Sequence, residues 1–422
     1  MRAPSDPQIV HPFPADQIDG WVRTMSATFL EEAGDDAHQR WVQSLTRDWD
    51  PGRAWGVIDR GRCVATLRTL PRTITVPGAG ATTRLLPVDA LTQVTVAATH
   101  RRRGLLSRML GESLAAARER GDALSILIAA EWPIYGRFGY GPAVLETNLT
   151  LYPRRAGGRV TSAEPGRVRQ VEREEFGTIA PDVFAAARRL RAGQVDRDQP
   201  WWDRELGLGG YPKNTALPYN WLVHEGDDGP DGLLAWSATR GFGSLPPMGA
   251  VRALGPFAAN DVAYRNLWSY LSGLDAVDEI ALPNRPADEA IRWLLGDGRT
   301  LVLTEQSDSM WLRLLDVPAA LEARGYAVSG ELVLEVVDDG APSVAGRYRL
   351  SVDGDAVQCE PTGDDPDLTV TQPALASVYL GGMGGLRPRL LEGAVAEHTP
   401  GALSRADAML VTPLVPWNAT DF

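Results

Sequence analysis

The stretch Val94-Thr-Val-Ala-Ala-Thr-His-Arg-Arg-Arg-Gly-Leu-Leu-Ser-Arg-Met-Leu110 constrains the fold more than any other part of the chain. A β-branched strand end runs into a polar turn dense in arginine, and a helical pattern follows with Gly104 at its start. Leu105, Leu106, Met109, Leu110, Leu114 and Ala117 make one apolar stripe, so this helix lays one side on a sheet. The first-turn amides of such a helix have no intrahelical partner, and the helix dipole favours negative charge there. Strand, turn and helix together predict an anion site suited to a pyrophosphate.

Residues Ala123 to Ala130 form a nearly continuous apolar run, as expected of a strand buried on both faces. It ends in the aromatic and glycine-rich turn Glu131-Trp-Pro-Ile-Tyr-Gly-Arg-Phe-Gly-Tyr-Gly-Pro142. Strand, helix and strand predict a βαβ-type unit within an otherwise antiparallel sheet built from Ala54–Ile58, Cys63–Leu70, Ile74–Val76 and Leu85–Val96. Upstream, Ile18, Trp21, Val22, Met25 and Phe29 repeat at spacings of three and four and predict a helix. Glu31, Glu32, Asp35 and Asp36 then read as an acidic loop. Tyr135 stands directly after the strand that flanks the anion cleft, which makes it a candidate proton donor, whereas Phe138 and Tyr140 read as core caps.

A chain of 422 residues is too long for one ordinary core and implies roughly three domains. Composition shifts over Tyr152 to Pro165, and the following segment repeats a strand and helix order without an Arg-x-x-Gly turn. The pattern predicts a similar fold lacking the phosphate site. From Ser309 a strand and a helix opening at Pro318 lead into alternating strands at Leu332–Val337, Tyr348–Val352 and Val357–Pro361, then a helix at Ala374–Leu380. The expected class is α/β (α+β), divided at 1–152, 153–308 and 309–422.

A formal net charge of −12 disfavours nonspecific nucleic-acid binding and draws cationic substrates. Cys63 and Cys359 fit no disulfide or metal framework, so a reducing cytoplasm is expected. No run reaches the ~18 apolar residues of a membrane span, and the five histidines show no ligand spacing, so neither a membrane nor a metal is expected. Asn418-Ala-Thr420 matches a glycosylation sequon, which has no meaning in that compartment.

Val94-Thr-Val96 followed by Arg101-x-x-Gly104-x-Leu106 resembles the acetyl-CoA-binding motif of the GNAT superfamily of N-acetyltransferases. Four stretches in combination resemble its Eis (enhanced intracellular survival) family: Thr99-His-Arg-Arg-Arg-Gly-Leu-Leu106, Ile134-Tyr-Gly-Arg-Phe-Gly-Tyr-Gly-Pro-Ala143, Pro318-Ala-Ala-Leu-Glu-Ala-Arg-Gly-Tyr326 and Ser377-Val-Tyr-Leu-Gly381. The resemblance implies two GNAT-like domains in tandem, the second without cofactor, then a domain similar to sterol carrier proteins. It also implies a homo-hexamer that acetylates amines, including several amines of one aminoglycoside.

Carried over by position, the resemblance assigns Val94, Thr95 and Val96 to the pantetheine arm of acetyl-CoA, and Arg101, Arg102, Arg103, Gly104 and Leu105 to its pyrophosphate. Tyr135 becomes the general acid and the carboxylate of Phe422 the general base, with Phe29, Glu31 and Trp41 in the acceptor pocket. Polyamines or protein lysines are the alternative acceptors, and a lipid or sterol carrier is the competing reading outside enzymes.

Overall fold

The structure, a computed structural model, describes residues 7–31, 34–80, 82–162, 166–207, 219–240, 249–340 and 342–422. The chain opens with β1 (Gln8–Val10), α1 (Ile18–Thr28) and α2 (Asp35–Arg47). The expected helix at Ile18 is present, but Asp35 and Asp36 are not loop residues. They form the first turn of α2, where the positive end of the dipole favours carboxylates. Glu32 lies outside the described residues.

The first sheet continues through β2 (Ala54–Asp59), β3 (Arg62–Pro77), β4 (Thr83–Val96) and, after α3 (Leu105–Glu119), β5 (Leu124–Ile128). Where two runs were expected at Cys63–Leu70 and Ile74–Val76, β3 is one 16-residue strand. Pro71 pairs in register with Asp89, and the ladder on either side carries the strand through the missing N–H.

Alternate residues of β4 and β5 serve different cores, as period-two geometry requires. Leu91 and Leu127 join the apolar face of α3, where Met109 and Leu110 are fully buried. Ala90 and Ile126 face the other way, into a core shared with the C-terminal part of the chain. The two-faced burial expected for the 123–130 run is present over 123–127, while Ile128 and Ala130 are exposed where the strand ends.

Two strands exchange between sheets. The seven-stranded first sheet runs β1, β2, β3, β4, β5, then Met310–Leu314, then β6 (Gly141–Pro142). Strand β7 (Leu145–Leu151) leaves it and enters the second seven-stranded sheet, between Leu301–Asp308 and Val277–Arg285. Divisions at 152/153 and 308/309 thus cut across sheet membership: 145–151 belongs with the second sheet and 310–314 with the first.

The second sheet repeats the first in outline, with Gly249–Ala258 parallel to Val277–Arg285 and a helix, Asp261–Ser272, between them. After Val277–Arg285 the chain makes only a 3-10 turn at Ala290–Trp293. A five-stranded third sheet orders Ala356–Pro361, Gly346–Asp353, Gly330–Val337, Leu368–Thr371 and Val395–Glu397. Its inner side chains, among them Leu332, Leu334, Leu350 and Val370, pack with Leu375 and Leu403 of the covering helices. No helix among the described residues is long and apolar enough to cross a membrane.

Candidate active site

The helix start expected to hold an anion is built from backbone. Arg102 and Gly104 have φ of 64° and 73°, and this left-handed pair turns the chain sharply from the strand into α3. The first intrahelical donor is Arg108, bonded to Gly104 O at 3.1 Å, so the amides of Leu105, Leu106 and Ser107 precede the ladder. The turn itself is pinned. Arg103 Nη2 donates to Thr99 O at 3.0 Å, Arg101 Nε to Val96 O at 3.4 Å, and His100 Nε2 lies 3.1 Å from Asp59 Oδ2. Arg101, Arg102 and Arg103 are exposed, leaving their charges at the mouth of the cradle. These groups fit a pyrophosphate: N–H donors at the start of a helix of 15 residues and exposed arginines beside them.

Beside the cradle the two parallel strands part. β4 and β5 pair at Asp89↔Ser125, Ala90↔Ile126 and Leu91↔Leu127, and no further. The register of β4 against β3 shifts between Thr66 and Arg68, and Gln93 takes a φ of 54°, which marks a bulge just past the last parallel pair. From Thr92 to Val96, β4 has β3 on one side and a free edge on the other, open to an amide-bearing arm. Val94 and Val96 are half-buried along this edge. The side chain of Thr95 is spent elsewhere: its Oγ1 lies 2.6 Å from Thr66 Oγ1, so only its backbone faces the edge.

Tyr135 ends the short helix Trp132–Tyr135 beyond β5. It is 8% exposed and packs in the same cluster as Leu91 and Leu127, the last parallel pair. Burial, with Glu131 adding to it, pushes the phenol up to about 12, so it stays protonated at neutral pH. Tyr140 is fully buried with its hydroxyl 2.7 Å from Ser125 Oγ, which suits a structural group.

The end of the chain arrives at the same place from the opposite side. Thr92 Oγ1 donates to Phe422 O at 3.0 Å, one residue beyond the last parallel pair. Phe422 borders a cavity of about 310 Å³ whose other walls include Trp41, Gln93 and Trp201. Four carboxylates, Asp48, Asp50, Asp198 and Asp421, line it beside Arg53, Arg68, Arg72 and Arg204. Three of these arginines are ion-paired: Arg53 to Asp89 at 2.8 Å, Arg72 to Asp198 at 2.5 Å and Arg204 to Asp421 at 2.8 Å. Arg68 donates to Asp48 O at 2.6 Å. Beneath the floor, burial raises Asp89 to about 6 despite its contacts with Arg120 and Arg53.

Of the three expected acceptor residues, Trp41 lines this cavity, while Phe29 and Glu31 do not. Phe29 caps the end of α1 and is 44% exposed. Sequence reasoning missed Thr92, Asp198 and Asp421. Asp198 does carry a local signal, since its side chain caps the helix Gln199–Glu205 by accepting from Trp201 N at 3.0 Å. Its proximity to Arg72, 126 residues away, has none.

The second unit closes its own helix start. Asn260 caps Asp261–Ser272, its side chain accepting from Ala263 N at 2.9 Å, so a first-turn amide is already occupied.

Comparison with known proteins agrees with this geometry. Two models of an acetyltransferase (GNAT) domain match residues 10–143 and 193–314, and a sterol carrier protein domain matches 317–419. An N-acetyltransferase of Streptomyces avermitilis is 37% identical over 99% of this chain and 99% of that protein. The N-acetyltransferase Eis of Mycobacterium tuberculosis is 32% identical over 87% of this chain and 88% of its own length. The crystal structure of Eis1 from Mycobacterium abscessus superposes with a TM-score of 0.83 at 28% identity, covering 99% of this chain and 100% of that one.

Proposed function

Because the chain belongs to the Eis family of GNAT N-acetyltransferases, we propose that it transfers the acetyl group of acetyl-CoA to aminoglycoside amines, at one or several positions. The observation that carries this reading is the meeting of Phe422 with Thr92 at the parting of β4 and β5, next to the cradle at Gly104. Acetyl-CoA supplies an activated thioester. The amides of Leu105 to Ser107 hold its pyrophosphate, and the free edge of β4 at Val94 and Val96 orders its arm. Asp48, Asp50, Asp198 and Asp421 line the acceptor cavity, and an acceptor ammonium would compete with Arg72 and Arg204 for Asp198 and Asp421.

An ammonium cannot attack a thioester, so the acceptor must first lose a proton, and the Phe422 carboxylate takes that role. A free α-carboxyl titrates at about 3.3 to 3.7, which makes it a weak base, so it works on the fraction of acceptor amine that is already losing its proton. Tyr135, protonated at neutral pH, delivers a proton to the departing thiolate. Acid and base therefore come from distant parts of the chain, residues 135 and 422. The resemblance supports a cytoplasmic homo-hexamer, whose mass in solution would be six times 45.7 kDa.

A thiol-release assay with acetyl-CoA against aminoglycosides, polyamines and lysine peptides tests the proposal. Turnover fastest with aminoglycosides is expected. Turnover confined to polyamines or peptides overturns the acceptor assignment.

A further inference from the structure

Residues 417–421 do not hang on the surface; they are laced into the stretch 192–198 of the second acetyltransferase-like unit. Trp417 N donates to Ala192 O at 3.0 Å, and Thr420 Oγ1 to Val195 O at 2.9 Å. Asn418 closes the segment on itself, accepting from Thr420 N at 3.1 Å and donating to Thr420 O at 2.7 Å. Asn418 and Thr420 are 2% and 1% exposed, so the apparent sequon is a buried hydrogen-bond hub. The same stretch is tied to the first sheet: Thr73 N donates to Asp196 Oδ1 at 2.8 Å, and Ile74 bridges Val195.

Arg197 grips this segment twice just before its end. Its Nε donates to Thr420 Oγ1 at 3.2 Å and its Nη2 to Ala419 O at 2.9 Å. The guanidinium sits over the rings of Phe184 and Trp201, each at 3.8 Å, with Phe257 at 4.8 Å and Trp202 at 5.2 Å. No carboxylate among the described residues lies in ion-pair range of it, so its hydrogen-bond partners are the tail itself. Trp201 then continues the contact outward, its Nε1 donating to Asp421 Oδ1 at 2.8 Å. A cation held flat between aromatic faces has few ways to move. Its two forked donors therefore set where Ala419 and Thr420 stand, and with them the direction of Phe422.

We infer that Arg197 is a positioning residue for the reaction: it fixes the Phe422 carboxylate against the acceptor amine, and the second acetyltransferase-like unit thereby contributes to catalysis in the first. The inference rests on the reading of that carboxylate as the general base. A displacement of about 1 Å in a reacting group costs on the order of 10²-fold in rate, so loss of the fork falls on kcat. The cradle for acetyl-CoA lies at α3, on other residues, and is untouched.

The test compares Arg197→Gln, Arg197→Lys and a chain lacking Phe422, alone and combined, by kcat, KM for acetyl-CoA and coenzyme A affinity. Arg197→Gln is expected to lower kcat by on the order of 10²-fold, with coenzyme A affinity unchanged. Arg197→Lys, which keeps the charge over the rings, restores part of that loss. In the chain lacking Phe422, Arg197→Gln produces no further loss, because both changes act through one group.

Full activity of Arg197→Gln alongside an inactive chain lacking Phe422 overturns the positioning role and leaves the base assignment standing. Full activity without Phe422 removes the base and the inference together. Should Arg197→Gln fold poorly, Thr420→Val removes the acceptor for Nε; an unchanged kcat in that variant also overturns the inference.

Discussion

In the proposed mechanism the acid half of the chemistry falls on Tyr135. Its phenol is raised to about 12 by burial, so the protonated form, the one that can donate, persists throughout the working range. Tyr135→Phe is expected to lower kcat by about 10² to 10⁴-fold without weakening coenzyme A binding. The pH profile follows from the same shift: kcat/KM rises as the acceptor amine loses its proton and shows no alkaline decline from Tyr135 up to about pH 10. A decline centred near pH 8, absent in Tyr135→Phe, would show that the phenol titrates in the working range. The position of Tyr135 was legible in the sequence because a strand end and an aromatic turn place it. The second tyrosine of that turn, Tyr140, differs only in being sealed against Ser125, a contact with no local signature.

At the scale of elements, α3 and the turn before it do the most with the least. The helix is held by Leu105, Met109, Leu110 and Leu114 against the sheet, and this leaves its first turn facing outward with unpaired amides. Gly104 holds the turn at a φ of 73°, where a Cβ meets no neighbouring atom, so replacing it strains only the backbone. Gly104→Ala is expected to cost about 1–2 kcal/mol in that conformation, weakening coenzyme A binding roughly tenfold by calorimetry while kcat at saturation holds. An unchanged affinity would mean that the amides do not carry the pyrophosphate.

These elements were readable because their periodicity is local. The helix α2 was not, since its first-turn acids, Asp35 and Asp36, look the same in a loop and at a helix start. Strand β3 was split at Pro71 for a similar reason: a proline announces a break that the flanking ladder overrides.

The whole molecule is less separable than its three sheets suggest. Met310–Leu314, buried at every position, lies between β5 and β6 and completes the first sheet from far downstream. Arg313, fully buried within it, pairs with Asp338 at 3.0 Å and so ties the first sheet to the third. Residues 1–152 expressed alone are therefore expected to show no cooperative thermal transition, since β5 loses a neighbour and the core under Ala90 and Ile126 opens. A sharp transition like that of the full chain would contradict a shared core.

The three-part order and the glycine turn that opens α3 were readable from sequence, but the seam beside the cavity at Phe422 was not. Val195 and Asn418 meet across 223 residues, and no pattern in either stretch announces the other.

The most direct measurement of the account is the turnover of a chain carrying one glycine after Phe422. That change keeps the Phe422 ring and moves the carboxylate one residue away from Thr92. The account expects kcat to fall by at least about 10²-fold with coenzyme A affinity unchanged. Turnover equal to that of the parent chain would contradict a base supplied by the end of the chain.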